Sequence, residues 1–120
     1  MRNPWTVAVM SLLLVGCATT QGTSFTPYAL SGSEIAAVED GIRSVRHDLD
    51  NPAFRGFAAN QHEDGQINVC GWLRPNGNSS EQPFIGTLFE GTFAPEHFGG
   101  NKTDDAQIFS DCHNRGAGIA

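Results

Sequence analysis

Apolar positions change their spacing along the chain, and each change predicts an element boundary. Residues Trp5–Val15 run apolar almost without a break and are followed by Gly16-Cys17. From Ala18 to Leu30 the apolar residues thin out among Thr, Ser, Gly and Gln with one Pro, the composition of a flexible spacer. Phe25 and Tyr28 are the exceptions there, and either dock on the folded part or stand exposed. Ile35, Val38, Ile42, Val45 and Leu49 then recur at spacings of 3, 4, 3 and 4, which is one stripe of an amphipathic helix. Ser31-x-x-Glu34 fits a capping box at its start. Glu34, Glu39 and Asp40 sit early and Arg43 and Arg46 late, as the helix dipole prefers, and Glu39 and Arg43 form an i,i+4 pair. Gly41 costs roughly 1 kcal/mol against alanine at such a position. Asn51-Pro52 ends the predicted helix, Ser31–Asp50, because a residue before proline is pushed out of the α region.

Beyond Pro52 the period becomes two. Arg55–Gln61 reads as a strand, His62-Glu63-Asp64-Gly65 as a turn, and Gln66–Arg74 as a strand with clear alternation. Ile67, Val69, Gly71 and Leu73 take one face of it; Asn68, Cys70, Trp72 and Arg74 take the other. Pro75–Gln82 is a polar loop, and Phe84–Phe89, apolar on both faces, is a central strand. Gly91–His97 is a fourth strand broken by Pro95, and Phe98–Asn101 is a loop. In the last segment Thr103 can cap a helix, Asp104-Asp105 suit its first turn, and Ala106, Phe109 and Cys112 share a face. Gly116 sits where a helix-ending glycine belongs; a final strand, Gln107–His113, is the alternative. The expected fold is α+β: an N-terminal helix on a small antiparallel sheet of three to four strands, with a short C-terminal helix.

The N-terminal run changes the picture of where the chain resides. Arg2, about 11 apolar residues and a small-residue site match the three regions of a secretory signal. A spanning helix needs roughly 20 apolar residues, so the run is too short to be one; a buried core helix is the other reading. Leu14-Val15-Gly16-Cys17 resembles the lipobox of bacterial lipoproteins. That resemblance implies diacylglyceryl transfer to the Cys17 thiol, cleavage before it and acylation of the new amino group, with palmitate-like chains anchoring the protein. An ordinary signal peptide with a chance cysteine is the alternative. Ala18 rather than aspartate after the cysteine implies, by the same resemblance, the outer membrane, with the folded part facing the periplasm. The expected organisation is a signal peptide at 1–16, a tether at 17–30 and one domain at 31–120.

Charge and cysteines follow from this. The 120 residues carry 7 Lys+Arg against 13 Asp+Glu, a net charge of −6, which argues against a nucleic-acid partner. Removal of residues 1–16 takes Arg2 with it and leaves −7, so anionic head groups repel the domain and the lipid must hold it. In an oxidising compartment, with Cys17 lipidated, Cys70 and Cys112 have one possible internal pairing. The loop of about 42 residues so closed contributes roughly 4 kcal/mol in the chain-entropy model. Two buried, unpaired cysteines are the alternative. The bridge lays the C-terminal segment on the Cys70/Trp72 side of the sheet and leaves the Ile67/Val69/Leu73 side to the long helix.

Candidate chemistry is sparse. His47, His62, His97 and His113 form no ligand motif, no CxxC is present, and no Gly-x-Ser-x-Gly elbow occurs. His62, His97 and an aspartate would have to converge in space to hold a metal. Asp48, Asp50, Asp104, Asp105 and Asp111 offer carboxylates without a pairing that the sequence defines. No cofactor is expected. Trp72, beside Arg74 and the loop residues Asn76 and Asn78, is the best candidate for a binding surface, with core packing the plainer role for its ring.

Leu49-Asp50-Asn51-Pro52-Ala53-Phe54-Arg55-Gly56-Phe57 is similar to a helix-ending Leu-x-x-Pro-x-x-x-x-Phe segment. Val69-Cys70-Gly71-Trp72-Leu73 with Asn76, then Pro83-Phe84-Ile85-Gly86, resembles a Cys-Gly-x-Val-Asn core and its following strand. Both belong to a group of small secreted or lipid-anchored proteobacterial envelope proteins, and the resemblance spans Ile35 to Gly116. Arg74 departs from the group's asparagine, and Asn78–Gln82 from its glycine- and tyrosine-rich loop. The resemblance implies fold and compartment, and no activity. The expected function is therefore a lipid-anchored, non-enzymatic envelope protein that binds or assists another envelope component. The alternative is an inhibitor of a hydrolase such as lysozyme or a protease, whose basic cleft an acidic domain suits.

Overall fold

The chain is described over residues 25–119 of a computed structural model. The expected signal segment and Cys17 lie outside the described residues. Five strands and two helices follow in the order β1 (Phe25–Pro27), α1 (Gly32–Val45), β2 (Ala53–His62), β3 (Ile67–Arg74), β4 (Gln82–Phe89), β5 (Thr92–Phe98) and α2 (Lys102–Asn114). The strands pair in sequence order, all antiparallel, in one five-stranded sheet. The class is α+β, but with five strands rather than three to four. The added strand, β1, lies inside the stretch read as a spacer, so the long helix follows a strand instead of opening the fold.

Alternation along β3 and β4 divides the sheet into two faces, and each face takes one helix. Val38 and Ile42 of α1 pack with Ile67, Val69, Leu73, Phe84, Leu88 and Phe93. On the other face Ile108 and Cys112 of α2 pack with Cys70, Ile85 and Ala117. The Cys70–Cys112 disulfide fixes that second layer, its Cα atoms 6.2 Å apart and both residues wholly buried. The two sides of the sheet thus carry the helices that the cysteine pairing implies.

The capping box forms in full: Ser31 Oγ accepts from Glu34 N, and Ser31 N donates to Glu34 Oε1 at 2.8 Å. The predicted end of α1 does not hold. The helix stops at Val45, and Arg46 is already extended. Val45 is consequently half exposed, and Leu49 reaches the core from an irregular segment rather than from a helical stripe. The earlier stop is explained by Arg46, whose guanidinium binds Asp48 in a bidentate pair, stacks 4.9 Å over Phe98 and donates to Gln82 Oε1. Those contacts pull the chain down onto the end of the sheet before another helical turn can form.

The C-terminal segment is helical, with two corrections. Asn101, not Thr103, caps it, accepting from Asp104 N at 2.9 Å. Its inward face is Ile108 and Cys112; Ala106 and Phe109 are exposed, because the disulfide sets the rotation of the helix. Gly116 ends it with φ 77°, a left-handed conformation that suits glycine. Pro95 lies beside the register shift between β4 and β5, on an edge strand, one of the places in a sheet where a residue without an N–H is tolerated.

Candidate functional site

The exposed chemistry gathers where β2 and β3 meet the Pro75–Glu81 loop. Register places Arg55 directly across from Trp72. Immediately beyond, β2 bulges, with Gly56 at φ 66°. A Cβ there would lie 3.0 Å from Trp72 Cδ1, so the bulge seats the indole against bare backbone. Arg55 lies 5.3 Å over the same ring, and Phe109 of α2 tilts against it at 5.7 Å and 52°. Trp72 is half-buried and joins the bulge to the rim of α2. Arg55 in turn holds Glu81 in a bidentate pair. That hydrogen bonding keeps the Glu81 carboxyl below its ordinary range, and Arg74 adds Coulombic attraction.

Arg74 is half-buried and makes no ion pair among the described residues. Asn76 has a turn-building role: its N–H donates to Ser79 Oγ at 3.0 Å and its Oδ1 accepts from Asn78 N at 2.9 Å. The Asn78 side chain is exposed. The structure therefore brings Trp72 and Arg74 into one surface with Arg55, Glu81 and Phe109. The last three were not legible as a group, since only strand register and the rotation of α2 unite them. Beside this surface an open polar cleft of about 470 Å³ lies between Ser80–Gln82 and Gly100–Lys102. Its carboxylate Asp105 already accepts from Gly100 N.

The histidines do not converge. His62 stands against Phe25, ring centroids 5.2 Å apart, with Asp64 3.1 Å from Nδ1. His97 on β5 faces Asp104 of α2 at 3.3 Å. His47 and His113 are exposed. Among the described residues no three His, Cys, Asp or Glu side chains are grouped to hold a metal ion. No helix among them is long and apolar enough to cross a membrane.

A second polar cluster is structural. Buried Asn60 donates to Arg115 O and accepts from Asn68 Nδ2 at 3.0 Å. Arg115 pairs with Glu96 at 2.9 Å, and Thr87 donates to the same carboxylate. The Arg115 hydrogen bond lowers the Glu96 pKa first, with Thr87 adding to it against a partial burial cost. Together these bonds fasten the exit of α2 to β2, β3 and β5.

Comparison with protein-family models, with curated proteins and with solved structures returned no match for the chain.

Proposed function

We propose that this protein is a non-enzymatic binding module of the bacterial cell envelope. It is held by lipid on Cys17 at the outer membrane, faces the periplasm, and docks on another envelope protein. The Leu14–Cys17 pattern and the bridged Cys70–Cys112 pair support the compartment. The observation that carries the binding role is the Trp72 surface. A half-buried tryptophan with an exposed phenylalanine beside it, two arginines at its edge, and Arg74 without an ion pair among the described residues form the kind of anchor that protein interfaces favour. On a chain of net charge −6 this local cationic edge suits a partner that offers a carboxylate to Arg74.

Two measurements test the reading. Metabolic labelling with palmitate should mark the wild type and not Cys17→Ala; label retained in that variant removes the anchor. A photo-crosslinking residue at Phe109 should capture one dominant envelope protein in intact cells, and Arg74→Glu should abolish the capture. A crosslinker at exposed Val45, on the opposite layer, should not capture it. Equal capture from both positions, or none from Phe109, sinks the docking surface. Capture of a hydrolase would move the role to inhibition.

A further inference from the structure

Only one of the chain's asparagines precedes a glycine, and it stands in the exposed loop after β3: Asn76-Gly77. The hydrogen bond from Asn78 N to Asn76 Oδ1, 2.9 Å, closes a ring that runs through the Gly77 backbone. It draws electron density from the side-chain carbonyl and so makes Cγ a better electrophile. Gly77 carries no side chain to screen its nitrogen, and among the described residues its N–H donates to no acceptor.

Asp64-Gly65 forms the same ring, with Asp64 Oδ1 accepting from Gln66 N at 2.9 Å, and shows what Asn76 has that it lacks. There Gly65 N is engaged, donating to His62 O at 2.9 Å. The Gln66 N–H, aided by His62, also holds the Asp64 carboxyl below its ordinary range, so its carbon belongs to a carboxylate, a poor electrophile. Asn76 is neutral and Gly77 N is free.

The geometry points to Asn76 as a self-modification site, at which the chain deamidates without a catalyst. The Gly77 nitrogen gives its proton to solvent base and forms a bond to Asn76 Cγ. The Cγ–Nδ2 bond breaks, and ammonia leaves with a proton taken from water. Water then opens the succinimide at one carbonyl or the other, leaving aspartate or isoaspartate at position 76. No oxidant or cofactor enters the balance. Either product adds a negative charge two residues from Arg74. Isoaspartate also reroutes the main chain through the side-chain carbons. That breaks the turn in which Ser79 N and Oγ both donate to Asn76 O.

Full-length protein is incubated in mildly alkaline buffer beside a synthetic peptide spanning Leu73–Ser80, and both are mapped by mass spectrometry and by enzymatic isoaspartyl methylation. Asn76 in the folded protein should gain the mass of the amide-to-acid exchange on the timescale of the peptide, while Asp64 gains no isoaspartate. Gly77→Ala should slow the conversion several-fold. That variant folds, because a Cβ at Gly77 meets nothing within 4 Å and its φ is not left-handed. Asn76 left intact after the peptide has converted overturns the site. So does conversion of Gly77→Ala at the wild-type rate.

Discussion

At the scale of single residues, Arg46 ties the end of α1 to the sheet through three separate contacts. Its planar fork matches the Asp48 carboxylate, with Nε–Oδ1 at 2.7 Å and Nη2–Oδ2 at 2.6 Å, while its face covers Phe98. Arg46→Ala removes the stacked cation and the packing of its stem, and is expected to cost about 1–2 kcal/mol by urea unfolding. Arg46→Lys should not restore it, because an ammonium cannot reproduce the fork. Hydrogen bonding to Arg46 lowers the Asp48 pKa to about 2. Glu96, Glu81 and Glu34 are lowered as well. Each group is more acidic folded than unfolded, so its contribution is fully present above the ordinary carboxylate range and is lost as pH falls through the folded value. The Asp48 carboxyl should therefore titrate by NMR near pH 2 in the wild type and return to the ordinary range in Arg46→Ala. An Asp48 midpoint unchanged between the two proteins would contradict the pairing.

At the scale of elements, α1 shows where local preference and packing disagree. Gly41 weakens a helix, yet a Cβ there would lie 2.5 Å from Phe93 O and 2.9 Å from Phe93 Cβ, in β5 beneath. Gly41→Ala should thus destabilise the domain by about 1–3 kcal/mol despite its better helix propensity, a reversal visible as a lowered unfolding midpoint. Ser31→Ala, which opens the capping box, should cost about 1 kcal/mol in the same assay. Of the two boundaries of this helix, only the first was legible in the sequence. The cap is a local motif, whereas the end depends on Arg46 reaching Phe98 and Gln82, residues far along the chain. The strands β2, β3 and β5 were legible because a half-buried sheet imposes a period of two, and β4 because a run apolar on both faces reads as a central strand. β1 was not, because three residues hold no period and Phe25–Pro27 is extended only by pairing with Asn60–His62. The candidate site divides in the same way. Trp72 and Arg74 are neighbours on one strand face and could be read together, while Arg55 and Phe109 join them only through cross-strand register and the rotation that the disulfide gives α2.

At the scale of the whole molecule, one sheet separates two unequal cores. Eight buried apolar residues fill the α1 side. Five fill the α2 side, and two of those are the bridged cysteines. Beyond the bridge, α2 is held by Ile108, by the Trp72–Phe109 contact at its rim, and by the Asn60, Asn68 and Glu96 bonds to Arg115. The α1 layer owes nothing to the disulfide except through the sheet that both layers share. Replacing both cysteines by alanine should therefore cost roughly 4 kcal/mol of global stability in the chain-entropy model, and the loss should not be uniform. Amide exchange in the double variant should show α2 opening with little protection while α1, β3 and β4 keep most of theirs, and a dye that reports exposed apolar surface should bind the bared Ile85 face. If α1 and α2 instead lose protection together in a single step, the layers fold as one unit and the bridge supports both. The Arg115→Ala variant discriminates further. With the disulfide intact it removes only the side-chain bonds to Asn68 and Glu96 and keeps the Asn60 bond to the main-chain carbonyl, so its effect should be confined to the last turn and to the tail through Ile119. Combined with the cysteine replacements it should loosen the helix by more than the two changes give when summed, because each alone leaves the other fastening in place, while Ile108, the Trp72–Phe109 contact and the Asn60 bond to the Arg115 carbonyl remain.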